Sequence, residues 1–191
     1  AASDVYKRQG LTSYPAARCV RILNPLSADL NVMRQTLLFN TMEAVQLNAN
    51  RRNGNLRLYE FGNCYFYDEA ARDAEKPLSA YSEQYRLAIA VTGAAVPQSW
   101  NAKPQASSFF TLRAVAEKLL RRFGLDIYAL KCEPLQSDLF GDGISLSAGN
   151  GRELLQMGVV APRIRRAFDL KQEVYYLEMN FDALVKSTRK H

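Results

Sequence analysis

The sequence predicts an α+β fold in which an antiparallel β-sheet is flanked by helices. Two segments carry apolar residues at helical spacing, and several strand-like segments follow each of them. Asn150-Gly151 separates two of these segments by a dipeptide that is typical of β-hairpin turns. No regular strand–helix–strand alternation and no internal repeat is present. This order favours an antiparallel sheet over a parallel one.

The first part of the chain predicts a leader, a strand and a turn. Residues 1–10 have no periodicity and are expected to be an unmatched leader outside the fold. Residues 18–23 predict a strand, with Val20 and Ile22 on one face. Residues 24–27 contain a proline and predict a turn.

An amphipathic helix is predicted from about Thr36 to the Arg51-Arg52 pair. The two arginines complement the negative end of the helix dipole, and Asn53-Gly54 provides residues that accept a left-handed backbone. The apolar stripe of this helix consists of Leu38, Met42, Val45 and Ala49.

Two strands separated by a loop are predicted next. Residues 56–67 are rich in strand formers, and Gly62 indicates a bulge or a close approach of another group. Residues 83–92 alternate between larger and smaller side chains, which predicts a half-buried strand. The proline-containing residues 69–82 and 93–106 predict loops.

A second helix is predicted to begin at Ser107-Ser108 and to end at Gly124. Its apolar face is predicted to consist of Leu112, Val115, Leu119, Leu120 and Phe123.

The C-terminal part predicts further strands and a short helix. Pro162 opens this helix, which is expected to extend through Phe168, because proline is favoured at the first helical position. A helical turn and a basic tail follow the last strand. We expect residues 11–185 to form the folded domain and residues 186–191 to be a truncated linker. The predicted strands span residues 127–132, 144–148, 154–160 and 173–180.

Several functional classes are disfavoured by the composition. His191 is the only histidine, so a zinc site or a Ser-His-Asp triad lacks the side chains that it needs. The glycines at 141–143 and 149–151 lack the flanking residues of phosphate-binding loops and are expected to form turns. No apolar run approaches the ~20 residues that span a bilayer. We expect a cytoplasmic protein without a metal or a membrane partner, whose cysteines are reduced; these are Cys19, Cys64 and Cys132.

The formal net charge of +6 and the pI near 9.3 permit a polyanionic partner. Two interpretations of the basic pairs remain open, namely solvated helix ends and direct contacts with RNA. The pairs are Arg51 and Arg52 at the end of the first helix and Arg121 and Arg122 at the end of the second.

Two glutamates, Glu60 and Glu178, replace apolar residues within predicted strands. A half-buried carboxylate needs a partner, such as an arginine or backbone N–H groups. A structural role and an acid–base role both remain open, but no second catalytic group can be assigned to either glutamate.

Three segments carry a family resemblance. Residues 24–69 contain "NPLSADLNVMRQTLL", "EAVQLNANRR" and "LRLYEFGNCY". The segments "SSFFTLRAVAEKLLRRFGL" and "LLQMGVVAPRIRRAFDLKQEVYYLEMNFDAL" follow. Over roughly residues 11–184, the sequence resembles the catalytic-like core domain of bacterial phenylalanyl-tRNA synthetase β subunits. The segment "LQSDLFGDGISLSAGNGREL" departs from the usual pattern of that family.

The resemblance implies a class II aminoacyl-tRNA synthetase-like antiparallel sheet flanked by helices. It also implies an (αβ)₂ enzyme that attaches phenylalanine to tRNA(Phe) with ATP and Mg²⁺, in which this domain docks the catalytic α subunit. No cofactor is expected in this chain itself.

The resemblance further implies that the domain is inactive. Class II adenylation uses arginines that stabilise phosphate charge in the transition state. The first such position falls at about Phe66 or Tyr67, and Arg163 lies near the second without its usual flanking residues. We expect Arg163 to lie on a helix surface.

The helix stripe of Leu38, Met42, Val45 and Ala49 is expected either to support the contact with the α subunit or to form core. Two other functions are considered: a tRNA-binding module that uses the basic helix ends, and an independent adenylating enzyme.

Overall fold

The chain folds around one six-stranded antiparallel β-sheet with helices on both faces. The computed structural model describes residues 11–25, 31–96, 100 and 103–188. Across the sheet, the strands lie in the order Leu56–Tyr67, Tyr81–Thr92, Val174–Asn180, Glu153–Val160, Phe140–Ser147 and Lys131–Pro134, and every neighbouring pair is antiparallel. Two short strands, Ala94–Val96 and Gln105–Ala106, form a small separate hairpin. The predicted α+β class is therefore confirmed.

The strands and helices are numbered in chain order. The strands are β1 (Leu56–Tyr67), β2 (Tyr81–Thr92), β3 (Ala94–Val96), β4 (Gln105–Ala106), β5 (Lys131–Pro134), β6 (Phe140–Ser147), β7 (Glu153–Val160) and β8 (Val174–Asn180). The α-helices are α1 (Leu38–Asn50), α2 (Phe109–Arg122), α3 (Pro162–Ala167) and α4 (Phe181–Thr188). Short 3₁₀ turns span Ala16–Arg18, Glu69–Ala71 and Ile127–Ala129.

Two hydrophobic cores lie on opposite faces of the sheet. Helices α1 and α3 cover one face, where the rings of Phe39 and Phe168 stack with centroids 6.4 Å apart. Helices α2 and α4 cover the other face, against residues such as Leu155 and Leu177. Because side chains alternate across a strand, β2 contributes Ala88 to the first core and the residues on either side of Ala88 to the second. The prediction that β2 is only half-buried is therefore wrong.

Local sequence signals explain most element ends. Ser108 and Thr111 form a capping box at the start of α2, and Gly124 follows the helix with φ of 74°. Gly151, with φ of 76°, closes the β6–β7 hairpin. Pro162 is the first residue of α3. These predicted boundaries are confirmed.

Other local predictions are wrong. Residues 18–23 form no strand but contribute an isolated bridge between Arg21 and Val32. Residues 127–132 begin as a 3₁₀ turn, and only the end of this segment joins β5. Helix α1 ends through Arg52, which has φ of 62°, and Gly54 does not supply the left-handed residue. Of the expected loop 93–106, the described residues contain the β3–β4 hairpin.

The ends of the chain bear on the expected domain limits. Residues 186–188 of the expected linker form the last turn of α4. The leader at 1–10, the end of the predicted turn at 26–27 and residues 189–191 lie outside the described part of the chain.

Candidate functional site

A buried carboxylate lies at the centre of the α1-covered face of the sheet. Glu178 on β8 accepts hydrogen bonds from Arg86 Nη1, Thr36 Oγ1 and Tyr176 Oη, each at 2.6 Å. The backbone N–H of Leu37 also donates to Glu178 Oε2 at 3.3 Å. Both carboxylate oxygens are therefore bonded to the protein itself, and the start of α1 is fixed to β2 and β8.

Arg86 on β2 lies in a small polar cleft that is continuous with this network. The cleft has a volume of about 220 Å³ and is lined in part by Tyr14, Arg86 and Glu178. Arg86 Nε and Nη2 donate to Gln84 Oε1 at 3.1 and 2.8 Å, and Nη1 also donates to Tyr14 Oη at 3.4 Å. Every guanidinium nitrogen of Arg86 therefore donates to a neighbouring side chain.

Burial controls the ionisation of the groups around the cleft. Burial, followed by the negative charge of Glu178, raises the pKa of Tyr14 and of Tyr176 above the ordinary value. The same two causes raise the pKa of Cys64 to about 12. Although burial alone would lower the pKa of Arg86, the charge of Glu178 raises it. The phenols of Tyr14 and Tyr176 in the cleft and the nearby thiol of Cys64 are therefore neutral near neutral pH, and Arg86 and Glu178 form an ion pair beside them.

The first expected arginine position of the class II motif contains packed aromatic residues. Phe66 packs against the α1-side core, and the Arg86 guanidinium carbon lies 5.0 Å from the centroid of its ring. The Tyr67 ring lies 5.2 Å from the ring of Tyr81, and its hydroxyl donates to Glu69. These residues do not fit a triphosphate, because neither carries a cation and Arg86 is already bonded.

Arg163 lies on the exposed surface of α3. Its side chain therefore lies at the surface of the helix, as expected for a helix-surface residue.

Glu60 has the arginine partner that its strand position predicts. Arg34 Nη1 lies 2.6 Å from Glu60 Oε1, and Arg34 Nε donates to the carbonyl oxygen of Asn63 at 2.9 Å. Gly62 permits this contact, since a Cβ atom there would lie 1.9 Å from Arg34 Nη2. The prediction of a close approach at Gly62 is confirmed, whereas the register of β1 with β2 continues without a bulge.

An exposed aromatic surface lies at the β1 edge of the sheet, on the face that is covered by α2 and α4. We define it as Tyr59, Phe61 and Tyr85, which are 76%, 44% and 40% exposed. The rings of Phe61 and Tyr85 stack with centroids 5.8 Å apart, and the ring of Phe181 makes edge-to-face contacts with both. Because β1 is an edge strand, this surface lies beside backbone groups that no seventh strand pairs among the described residues.

The apolar stripe of α1 lies inside the protein. Leu38, Met42 and Val45 have no exposed surface, and Ala49 packs against the same core. These four side chains therefore belong to the hydrophobic core. They pack behind β1, on the face opposite the aromatic surface.

The basic pairs are exposed at the ends of two helices on opposite faces of the sheet. Arg51 and Arg52 follow α1, whereas Arg121 and Arg122 end α2. The two pairs therefore do not form one continuous surface.

Sequence reasoning missed two residues of the cleft. Arg86 carried a usable signal, since it is the one cation within an otherwise uncharged strand segment, 84–92. Tyr14 carried none, because it lies in a segment without periodicity and reaches Arg86 across 72 positions of sequence.

The described residues contain no group of three or more histidine, cysteine, aspartate or glutamate side chains that is arranged to hold a metal ion. None of the helices within these ranges is long and apolar enough to cross a membrane.

The chain matches known proteins over nearly its whole length. Residues 2–181 match the family model of the phenylalanyl tRNA synthetase beta chain CLM domain. The chain is 44% identical to a phenylalanine–tRNA ligase beta subunit of Bacteroides thetaiotaomicron over 94% of its length. It is 36% identical to that of Porphyromonas gingivalis over 96%. It spans only 22% of the length of each of these relatives.

Among solved structures, the chain is similar to pyrrolysyl-tRNA synthetase from Desulfitobacterium hafniense. The TM-score is 0.69 with 15% sequence identity, and the match covers 98% of this chain and 60% of the other. At this identity, the likeness concerns the fold, which is that of a class II synthetase core.

Proposed function

Because the chain belongs to the phenylalanyl-tRNA synthetase beta chain family, we propose that it is a non-catalytic core domain that docks the catalytic α subunit. The observation that carries this proposal is the contrast between two regions of the sheet. The cleft around Arg86 is lined by side chains that hydrogen-bond to one another, whereas the β1 edge exposes aromatic rings.

The absence of catalysis follows from the chemistry of the cleft. Adenylate formation needs guanidinium groups that are free to stabilise developing phosphate charge. Arg86 donates to Glu178, Gln84 and Tyr14, and its face is covered by Phe66. Freeing Arg86 would leave Glu178 as an unpaired buried charge, which is costly. The cleft therefore serves stability.

The exposed β1 edge supports the docking role. Three neighbouring aromatic side chains on an edge strand form the kind of anchor that is enriched at protein interfaces. Helix α1 stiffens the strand from behind through Leu38, Met42 and Val45, which are fully buried. A rigid strand lowers the entropy cost of association.

The role of the whole enzyme is also part of the proposal. The chain spans about a fifth of the length of its relatives. We propose that the longer protein acts in the cytoplasm as one chain of an (αβ)₂ enzyme, which attaches phenylalanine to its tRNA with ATP and Mg²⁺. Within that enzyme, the present domain contributes to the assembly of the subunits.

The docking surface is tested with two exposed aromatic residues in matched variants. Tyr59→Glu introduces a charge into the aromatic surface, whereas Phe110→Glu places the same charge on α2, where the ring is similarly exposed at 74%. We expect Tyr59→Glu to weaken binding of the α subunit by about 30-fold or more, as for an interface anchor. The dissociation constant measured by calorimetry provides the readout.

Phe110→Glu is expected to bind like the unchanged chain. Equal affinities for all three proteins would contradict docking through the aromatic surface. Absence of binding by the unchanged chain would contradict the docking role itself.

A further inference from the structure

A pocket of about 430 Å³ lies where the β3–β4 hairpin meets the start of β8. Its volume is within the range that is typical of small-molecule sites. Most of the described lining residues are small and uncharged, and Glu173 is the one charged residue among them. The pocket shares no residue with the Glu178 network or with the aromatic surface. It is therefore a separate candidate site.

Hydrogen bonds hold the walls of this pocket in place. The N–H of Ser107 donates to the carbonyl oxygen of Gly93 at 2.8 Å, which joins the end of the hairpin to the end of β2. Thr92 Oγ1 donates to the carbonyl oxygen of Glu173 at 2.7 Å, which fixes the start of β8 beside the same residues. Because the backbone that forms the walls is bonded in this way, the pocket is preorganised, which lowers the entropy cost of binding a ligand.

One hydrogen-bonding group in the lining lacks a partner. Ser107 is 7% exposed, and its Oγ atom is buried without a hydrogen-bond partner among the described residues. The next residue, Ser108, forms the capping box of α2 with Thr111, so Ser107 is not needed as the cap of this helix. Most buried side-chain polar atoms in folded proteins are paired. The hydroxyl of Ser107 is therefore an available donor for an oxygen atom of a ligand.

Glu173 provides a negative charge whose position is fixed by Tyr175. Tyr175 Oη donates to Glu173 Oε2 at 2.6 Å, and this hydrogen bond raises the pKa of Tyr175 to about 12, although the positive charge of Arg165 opposes the rise. Within the described ranges, Glu173 forms no salt bridge with Arg165, and its Oε1 atom accepts no hydrogen bond. The carboxylate therefore keeps its charge and one available oxygen.

We propose that this pocket binds the side-chain ammonium group of a lysine from a protein partner. A carboxylate with one available oxygen suits a point-like ammonium better than a planar guanidinium, which pairs with two oxygens. The small apolar residues of the wall and the ring of Tyr175 suit the aliphatic stem of lysine. The Ser107 hydroxyl donates to the backbone carbonyl oxygen of the same lysine, a group that a free alkylamine lacks.

Titration with N-acetyl-lysine methylamide, followed by nuclear magnetic resonance, tests the proposal. We expect this probe to shift the backbone amide signals of Ser107 and Tyr175 with a dissociation constant in the millimolar range. The norleucine derivative has the same stem without the ammonium group. We expect it to bind at least about threefold more weakly, which is the contribution of a partly exposed charge pair.

The charge of Glu173 is tested with two matched variants. Glu173→Gln removes the charge and keeps an oxygen that accepts the hydrogen bond from Tyr175. We expect this variant to bind the lysine derivative about threefold more weakly or worse. Glu133→Gln removes the same charge from β5, where Glu133 is 54% exposed, and is expected to bind like the unchanged chain.

The role of Ser107 separates a lysine residue from a free amine. The Ser107 hydroxyl has no partner to lose, so Ser107→Ala is expected to fold like the unchanged chain. We expect this variant to bind the lysine derivative about threefold more weakly, the contribution of one hydrogen bond. Its affinity for butylammonium, which has no carbonyl group, is expected to stay the same.

The proposal would be overturned by equal affinities for the lysine and norleucine derivatives, or by equal affinities of Glu173→Gln and Glu133→Gln for the lysine derivative. Unchanged affinity of Ser107→Ala for the lysine derivative would overturn lysine as the ligand, in favour of a free alkylamine. None of these results depends on α-subunit docking, because the probes are small molecules and the pocket lies outside the aromatic surface.

Discussion

Glu178 accepts hydrogen bonds from four different residues, and its loss is expected to destabilise the fold strongly. Glu178→Gln leaves the Arg86 guanidinium largely buried without its counter-charge. We expect the free energy of unfolding to fall by about 3–5 kcal/mol. Urea denaturation followed by circular dichroism measures this change.

Glu60→Gln serves as the matched control, because it removes the same charge from a second strand. Arg34 and Glu60 are 29% and 33% exposed, so water screens this pair. The expected loss is about 1 kcal/mol or less. Equal losses in the two variants would contradict the distinction between them.

The hydrogen bonds to Asp138 predict that the stability of the fold depends on pH. Although its partial burial would raise the pKa, hydrogen bonds from Ser13 and Thr12 lower it below the ordinary value of 3.8. A carboxyl group whose pKa is lower in the folded state stabilises the fold at pH values above its unfolded-state pKa. This stabilisation is lost as the pH falls through its folded-state pKa. We therefore expect Asp138→Asn to be less stable than the unchanged chain at pH 7, by less than about 1 kcal/mol, because water screens a carboxylate that is only partly buried.

Thermal unfolding between pH 7 and pH 2 tests this expectation. The difference between the two proteins is expected to shrink as the pH falls. A difference that is constant over the whole range would mean that the carboxylate charge contributes nothing.

At the scale of single residues, the sequence predicted that Glu60 and Glu178 each need a hydrogen-bond donor, but not which residue supplies it. A half-buried carboxylate needs a donor, and arginine supplies one in both cases. The partners lie 26 and 92 residues away along the chain, so their identity depends on strand pairing. Glu178 is accordingly a structural residue, which was one of the two roles left open.

At the scale of the elements, two glycines within strands are expected to differ in their tolerance of a methyl group. A Cβ atom on Gly158 of β7 would lie 2.2 Å from the carbonyl oxygen of Asp142. A backbone atom of the neighbouring strand cannot move away without breaking the pairing of β6 with β7. We expect Gly158→Ala to cost about 3 kcal/mol or more, at the upper end for overpacking.

Gly62→Ala provides the comparison. Its new Cβ atom would contact the end of the flexible Arg34 side chain, which can move at the expense of its contacts with Glu60 and Asn63. The expected loss is about 1 kcal/mol. A larger loss for Gly62→Ala than for Gly158→Ala, measured by urea denaturation, would contradict this ranking.

Elements with strong local signals were predicted well, and those that depend on tertiary contacts were not. Strand β1 spans the predicted residues, because its strand formers end at clear turns. Residues 127–132 also contain strand formers, yet the Asp126 side chain caps a 3₁₀ turn there by accepting the N–H of Tyr128. In this segment, a side-chain hydrogen bond outweighed strand propensity.

At the scale of the whole molecule, the aromatic surface and the Glu178 network occupy opposite faces of one sheet. The aromatic surface lies on the α2 and α4 face at the β1 edge, and Glu178 fixes the start of α1 on the other face. We propose that the sheet separates a surface for assembly from a network that stabilises the fold.

The candidate surfaces could be predicted only in part from the sequence. The aromatic character of residues 56–67 was visible, but the exposure of Tyr59 and Phe61 depends on β1 being the edge strand. Arg51 and Arg52 were recognised as a basic helix end, whereas the attachment of the turn that follows them to the segment after α3 depends on the contact between Gly54 and Gln172. Such contacts between distant segments leave no local pattern.

The most direct test of the central claim is the molar mass of the complex that this chain forms with the matching α subunit. Size-exclusion chromatography with light scattering on the co-expressed pair gives this mass. We predict a single co-eluting species whose molar mass accounts for both chains. Separate elution of two folded proteins would contradict the account.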